Sequence, residues 1–204
     1  MQNTKKRIMN EAVKLFACRG YDGTSMEAIA ARAGIKAPSI YKHFKSKNDV
    51  FDAILGEMER RDAENAAQCG VPQESIETEP GSYSQTEVTD LLQFCRMQFR
   101  FWTEDAFAVS FRKMLTAEQY RSEDTQKRYR QYLGDGPLFY TADILGSAEA
   151  ALALYAPMHL LYSVYDYAED KRIAENLLET HLAAWFSSWN QKLFGGCENE
   201  ISVK

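Results

Sequence analysis

The stretch from Gly20 to Ser46 constrains this chain more than any other, because its turn residues cut a helical pattern into short pieces that must pack together. Ahead of it, Ile8, Ala12, Leu15 and Phe16, with Met9 and Val13, recur at helical spacing over Lys5 to Arg19, and Gly20 follows as a stop. "TSMEAIAARAG" opens with Thr24 and Glu27 at capping-box spacing, which predicts a hydroxyl on an orphan N–H and a carboxylate returning to the cap. Met26, Ile29, Ala30 and Ala33 then form the apolar face of a two-turn helix ended by Gly34. Beyond the turn Gly34-Ile35-Lys36, Pro38 suits the first position of a third helix, where its missing N–H costs nothing. Ile40 and Phe44 should face inward. Ser46 and Asp49 give a second cap signal, and "KNDVFDAILGEMERRDAENAAQ" reads as a long fourth helix with Val50, Ile54 and Met58 in register. Three short helices joined by a tight glycine turn are the ingredients of a helix-turn-helix.

From Cys69 to Ser84 the pattern stops: "CGVPQESIETEPGSYS" carries two prolines and two glycines and reads as a mobile loop or linker. Helical periods resume near 86–103, 105–115, 117–133, 137–146, 147–168 and 171–193, with "GDGP" at 134–137 as a break. Alternating β-branched runs and internal repeats are absent, so the class is all-α, an N-terminal helix-turn-helix head plus a larger C-terminal helical domain. The division by role is 1–47 for the head and 48–204 for the rest, with the helix over 47–68 connecting them. The longest apolar region, Ala150 to Tyr165, is interrupted by Pro157 and His159 and is too short to span a bilayer. "MQNTKKRIMNEAVKLF" holds no sustained apolar run, so a cytoplasmic protein with no membrane partner is expected. Cys18, Cys69, Cys95 and Cys197 are scattered, which suits neither a zinc site nor a disulfide framework.

The formal net charge of −5 argues on its face against a nucleic-acid partner, but it is an average. Residues 1–47 hold ten Lys and Arg against three acids, a net of +7, which leaves −12 for the remainder. The third helix presents Lys36, Ser39, Tyr41, Lys42 and His43, all donors suited to phosphates or base edges. A solvated basic face has the same composition, and the helix-turn-helix setting favours the acidic partner. One such head touches little DNA. Specific binding therefore asks for two, spaced by about one or more helical turns, hence a homodimer on a near-palindromic double-stranded operator.

Residues 5–55 resemble the DNA-binding head of the tetracycline-repressor (TetR) family of bacterial transcription regulators. The resemblance rests on "AVKLFACRGYDGTSMEAIAARAGIKAPSIYKHFKSKNDVFDAIL": Phe-x-x-x-Gly-Tyr ending helix 1, Thr-Ser before helix 2, Ala-x-x-Ala-Gly-Ile into the turn, Ile-Tyr-x-His-Phe in helix 3, and Lys-x-x-Val-Phe in helix 4. It implies that Tyr41 and Lys47 hold phosphates, that Thr24 and Ser25 anchor helix 2, and that Lys36, Ser39, Lys42 and His43 reach bases or flanking phosphates. Lys5, Lys6 and Arg7 would follow the backbone or minor groove as a flexible arm. The implied function is a dimeric, ligand-responsive regulator of transcription, a repressor released from its operator by a small hydrophobic or aromatic effector.

For the body, the same resemblance implies an effector pocket, for which the large apolar groups Phe94, Met97, Phe101, Phe111, Tyr129, Met158 and Tyr162 are candidates beside plain core. It also implies that the last two helices meet their copy, with Leu178, Leu182, Trp185 and Trp189 along the seam; the alternative is that this stripe covers its own core. His159 and His181 fall at matching levels of that hairpin, too few ligands for an expected metal. No catalytic grouping, cofactor loop or metal motif is present in the sequence, so no enzyme and no cofactor are expected. The competing reading is an all-α small-molecule-binding protein or enzyme whose basic head binds an acidic partner other than DNA.

Overall fold

A computed structural model describes residues 2–68 and 87–195, and every described element is helical. The described residues form ten helices in order: α1 (Gln2–Arg19), α2 (Met26–Arg32), α3 (Ala37–Ile40), α4 (Lys47–Gln68), α5 (Val88–Glu104), α6 (Ala106–Glu118), α7 (Glu123–Leu133), α8 (Asp135–Leu145), α9 (Ala148–Tyr167) and α10 (Arg172–Gly195). The linker expected over 69–84, with Cys69, and Cys197 lie outside the described residues. Among the described residues no helix is long and apolar enough to cross a membrane.

By packing, the chain forms two compact units, Met1–Gln73 with Arg100–Gly134, and Glu74–Phe99 with Asp135–Lys204. In the first, α1 packs against α2, α4 and α6, and α6 packs against α7. Its core holds Ile8, Phe16, Ile29, Ile40, Val50, Ile54, Met58, Phe111, Met114 and Leu115, all fully or almost fully buried. In the second, α9 packs on both α8 and α10 around Leu91, Phe99, Ala151, Leu154, Met158, Ala174 and Leu182.

The helix breaks in the body differ from the sequence expectation for local reasons. α6 runs on to Glu118 and α7 starts only at Glu123, because Ser122 accepts the Thr125 N–H while the Thr125 hydroxyl takes the Ser122 N–H, a capping box built from Ser and Thr. The break expected across 134–137 is confined to Gly134, where a β-carbon would lie 2.9 Å from the Arg130 Cα. Asp135, Gly136 and Pro137 already form the first turn of α8, where the N–H that proline lacks has no intrahelical partner. Lys5, Lys6 and Arg7 are not a flexible arm: they belong to α1, which is helical from Gln2, and the Lys5 ammonium sits 5.2 Å from the Phe44 ring centre.

The α9–α10 hairpin is fastened by two ring donors. The Trp185 indole N–H donates to the Ala150 carbonyl at 3.1 Å, and His181 Nε2 lies 2.9 Å from the Leu154 carbonyl oxygen. Leu154 sits one residue past Ala153, whose carbonyl loses its usual donor because Pro157 has no N–H. At the open end of α9, the Lys171 ammonium donates to the Tyr165 carbonyl and, at 3.2 Å, to the Asp166 carbonyl, a cation where the helix dipole favours one. His181 is therefore engaged with backbone, and among the described residues no cluster of three or more potential metal ligands occurs.

Candidate nucleic-acid interface

The head is assembled by its turns. Gly20, at φ +74°, takes the left-handed conformation and donates its N–H to the Phe16 carbonyl, closing α1. Gly34, at φ +63°, ends α2 with the paired bonds Ile35 N–H to Ala30 and Gly34 N–H to Ala31, a Schellman arrangement. Lys36 stands at the N-cap of α3 with Pro38 in the first turn. α3 is only four residues long, but Lys42 N–H to Ser39, His43 N–H to Ile40 and Phe44 N–H to Ile40 continue the winding to Phe44. Ile40 and Phe44 are buried as the sequence requires, so the opposite side of this segment points to water.

The predicted contact residues separate into those left free and those already engaged. Lys36, Tyr41, Lys42 and Ser25 are exposed, while Ser39 and His43 are half-buried. Ser25, not Thr24, caps α2, accepting the Ala28 N–H at 3.2 Å. Thr24 is buried, and its hydroxyl donates to the Gly20 carbonyl at 2.9 Å, so it stabilises the turn. Nor does Glu27 return to a cap at Thr24. Its carboxyl is held below the usual range first by its own backbone N–H, then by the Ser25 hydroxyl, with a smaller contribution from the Tyr41 hydroxyl. Tyr41 thus leaves half of its surface open while its hydroxyl lies near α2.

At the start of α4, the Ser46 hydroxyl and the Asp49 carboxylate form the expected cap, but the carboxylate reaches one residue further back, to the Lys45 N–H at 2.9 Å. These donors hold the Asp49 carboxyl below its ordinary value, with the Ser46 hydroxyl the largest cause. Lys47 is half-buried: its ammonium donates to the Tyr21 carbonyl at 2.7 Å and lies 4.2 Å from the centre of the Tyr21 ring. The sequence placed Tyr21 at the end of the Phe-x-x-x-Gly-Tyr pattern but gave it no role.

The seven effector candidates divide between the two units. In the first, Phe111 is fully buried and meets Tyr132 edge-on at 5.3 Å, while Phe101 and Tyr129 are half-buried. In the second, Tyr162 stacks on Phe99 at 5.7 Å and meets the His159 ring edge-on, Phe94 lies 5.2 Å from Tyr140, Met158 is buried and Met97 half-buried. A cleft of about 240 Å³ in the first unit is lined by Asn10, Val13, Lys14, Arg61, Asp105, Ala106 and Phe107, none of them among the seven.

Leu178, Leu182 and Trp185 of the proposed seam are buried in this chain, at 4%, 0% and 8% exposure, so little of their surface is left for a second copy. Trp189 stacks on Trp185 at 5.5 Å and is half-buried. The apolar groups that this hairpin does expose are Leu152, Leu160 and Tyr167 on α9 with Ile173 and Leu177 on α10.

Comparison with known proteins bears on the head and on the fold separately. Residues 8–54 match the family model described as bacterial regulatory proteins, tetR family. The biofilm operon icaADBC HTH-type negative transcriptional regulator IcaR of Staphylococcus aureus is 42% identical over 48 residues, 24% of this chain and 26% of IcaR. The chain thus matches about a quarter of the length of that curated relative. A TetR-like transcriptional regulator from Rhodococcus sp. RHA1 superimposes with a TM-score of 0.62 at 22% identity, covering 94% of this chain and 96% of that one. The SmeT–triclosan complex does so with a TM-score of 0.60 at 21% identity, covering 89% and 91%. At such identities the two structures speak for the fold.

Proposed function

We propose, for a chain that belongs through its head to the tetR family of bacterial regulatory proteins, a role as a dimeric transcriptional repressor that leaves its operator when a small hydrophobic or aromatic effector binds. The observation that carries the reading is the exposed side of residues 36–42. There Lys36, Tyr41 and Lys42 face water, while Ile40 and Phe44 pin the same segment to the core. A rigid, basic, hydroxyl-bearing ridge on a two-helix corner suits the major groove, with Ser25 and Lys47 toward the flanking phosphates. Ser39 and His43, half-buried, would reach the DNA from the rim, and Thr24 would act through the turn that it ties.

Dimerisation is proposed through the outer faces of α9 and α10, where Leu160, at 68% exposure, and Leu177, at 48%, stand beside Leu152, Tyr167 and Ile173. Two copies joined there would carry two heads to a near-palindromic site. The name of the SmeT complex records triclosan, a small aromatic molecule, on that protein; the aromatic groups of this chain's body are suited to a ligand of the same kind. An effector with 100-fold preference for one state supplies about 2.7 kcal/mol of coupling, enough to vacate an operator near half-occupancy. Helix α4, leaving the head at Lys47, is the proposed route of that coupling.

The test is selection of duplexes from a random-sequence library by the purified protein, followed by affinity measurements across salt. The expected result is enrichment of an inverted repeat, bound with a steep loss of affinity as salt rises. Recovery of no sequence, from protein that is folded and dimeric by sedimentation, would turn the assignment toward the small-molecule-binding alternative.

A further inference from the structure

Resting on the DNA-binding reading, we propose that Glu118 and Arg121, far from the head in sequence, are positioning residues for DNA binding. They hold Tyr21, and Tyr21 holds the phosphate-facing Lys47. The first link is a buried carboxylate. Glu118 ends α6 at 7% exposure, and a carboxylate so placed needs strong donors. It accepts the backbone N–H of Tyr21 at 2.8 Å, across 97 residues of sequence, and its other oxygen forms an ion pair with the Arg121 guanidinium at 2.5 Å. Gly20 makes the first of these contacts possible. Its left-handed backbone turns the chain out of α1, and a β-carbon there would lie 3.2 Å from the Glu118 Oε1, so the approach is already tight.

The second link is the ring. Arg121 places its guanidinium carbon 4.4 Å from the Tyr21 ring centre, and the Lys47 ammonium lies 4.2 Å from the same centre. Phe16 at 5.3 Å and Phe51 at 5.5 Å fix the ring from the side of the core. The third link is the Tyr21 carbonyl, which accepts the Lys47 ammonium at 2.7 Å. One residue is thus held at its N–H by the end of α6, and at its carbonyl by the first residue of α4. A free lysine side chain samples many rotamers, and fixing one before DNA arrives removes part of that entropic cost from binding. The arrangement also makes the last turn of α6 a point from which a change in the body reaches a DNA-contacting side chain directly.

A staple with a purely structural role would lower melting temperature, leave the affinity of the folded molecule alone, and add independently to the loss of Lys47. The experiment therefore compares the full chain with Glu118→Ala, Glu118→Gln, Arg121→Ala, Lys47→Ala and the Glu118→Ala/Lys47→Ala double variant, on duplexes that the parent selects. Glu118→Ala should weaken binding about tenfold and lower the salt slope by about one per head, as for a lost phosphate contact. Glu118→Gln, whose amide oxygen still accepts the Tyr21 N–H, should recover most of the affinity. The double variant should bind no more weakly than Lys47→Ala alone, because one acts through the other. Parent-like binding by Glu118→Ala, or losses that multiply in the double variant, would overturn the proposal. Should Glu118→Ala fail to fold, Arg121→Ala combined with Lys47→Ala puts the same question. A parent that selects no duplex overturns the DNA-binding reading itself, whereas a parent that binds beside unaffected variants overturns only the role of Glu118 and Arg121.

Discussion

The segment around α3 and the α10 stripe are both amphipathic surfaces, and they behave oppositely. Around α3 the polar side could be assigned from sequence, because Ile40 and Phe44 had to be buried and Lys36 and Lys42 had no use inside. Along α10 the apolar side could be found, yet its partner could not. Leu178, Leu182 and Trp185 turn out to fill their own core against α9, and the exposed apolar surface, proposed above for dimerisation, is the less regular set around Leu160 and Leu177. A charged face announces water or a charged partner, whereas an apolar face accepts any apolar surface, its own chain's included.

The largest effect that tests this contrast is Leu182→Ala. Removing a fully buried side chain should cost about 2–5 kcal/mol and be read as a lower melting temperature. Leu160→Lys, on the exposed side, should leave helix content unchanged and shift sedimentation from dimer to monomer. The reverse pattern, a dissociated but equally stable Leu182→Ala, would restore the stripe as the interface.

Next comes α4, where a charge breaks the rule that charged groups stay outside. Burial pushes the Asp62 carboxyl up to about 6. The folded chain then holds that proton more tightly than the unfolded chain. Stability from this group is therefore greatest below about pH 4, and is lost as pH rises through about 6. Asp62→Asn should raise stability at pH 7.5 by on the order of 1–3 kcal/mol and flatten the profile between pH 4 and 7, as denaturant melts would show.

On the head, Tyr41→Ala and Lys47→Ala should each weaken DNA binding about tenfold, roughly 1.4 kcal/mol, with sedimentation unchanged. Equal binding by both variants would reduce the basic face to a solvated one. The smallest effect belongs to the ion pair that Arg96 makes with Glu179, two contacts at 2.9 Å between partly exposed groups. Arg96→Ala should shift stability by about 0.2–1 kcal/mol, less at high salt, as measured by parallel melts at two ionic strengths.

Much of the head was legible because its signals are local. Gly20, Gly34 and Pro38 act on their own backbone, and the Ser46–Asp49 cap closes within four residues. The sequence is ambiguous where two local solutions compete. Thr24 and Ser25 both offer a hydroxyl before α2, and only the carbonyl of Gly20, presented by the turn, draws Thr24 inward and leaves the cap to Ser25. The α6–α7 boundary was misplaced because a capping box closed by Thr125 in place of Glu or Gln is a weaker signal in sequence. Nothing in the sequence marked Glu118, whose partner lies 97 residues away.

By itself, then, the sequence determined an all-helical chain, the corner of its head, the basic ridge at Lys36 and Lys42, and the likeness of residues 8–54 to bacterial regulatory proteins of the tetR family. These follow from periodicity, turn stereochemistry and charge, which act over a few residues. Tertiary structure alone decided which apolar face is core, that Thr24 turns inward, and that Tyr21 joins Glu118 to Lys47. Each of those depends on which surfaces exclude water together, and that is set only when distant segments meet.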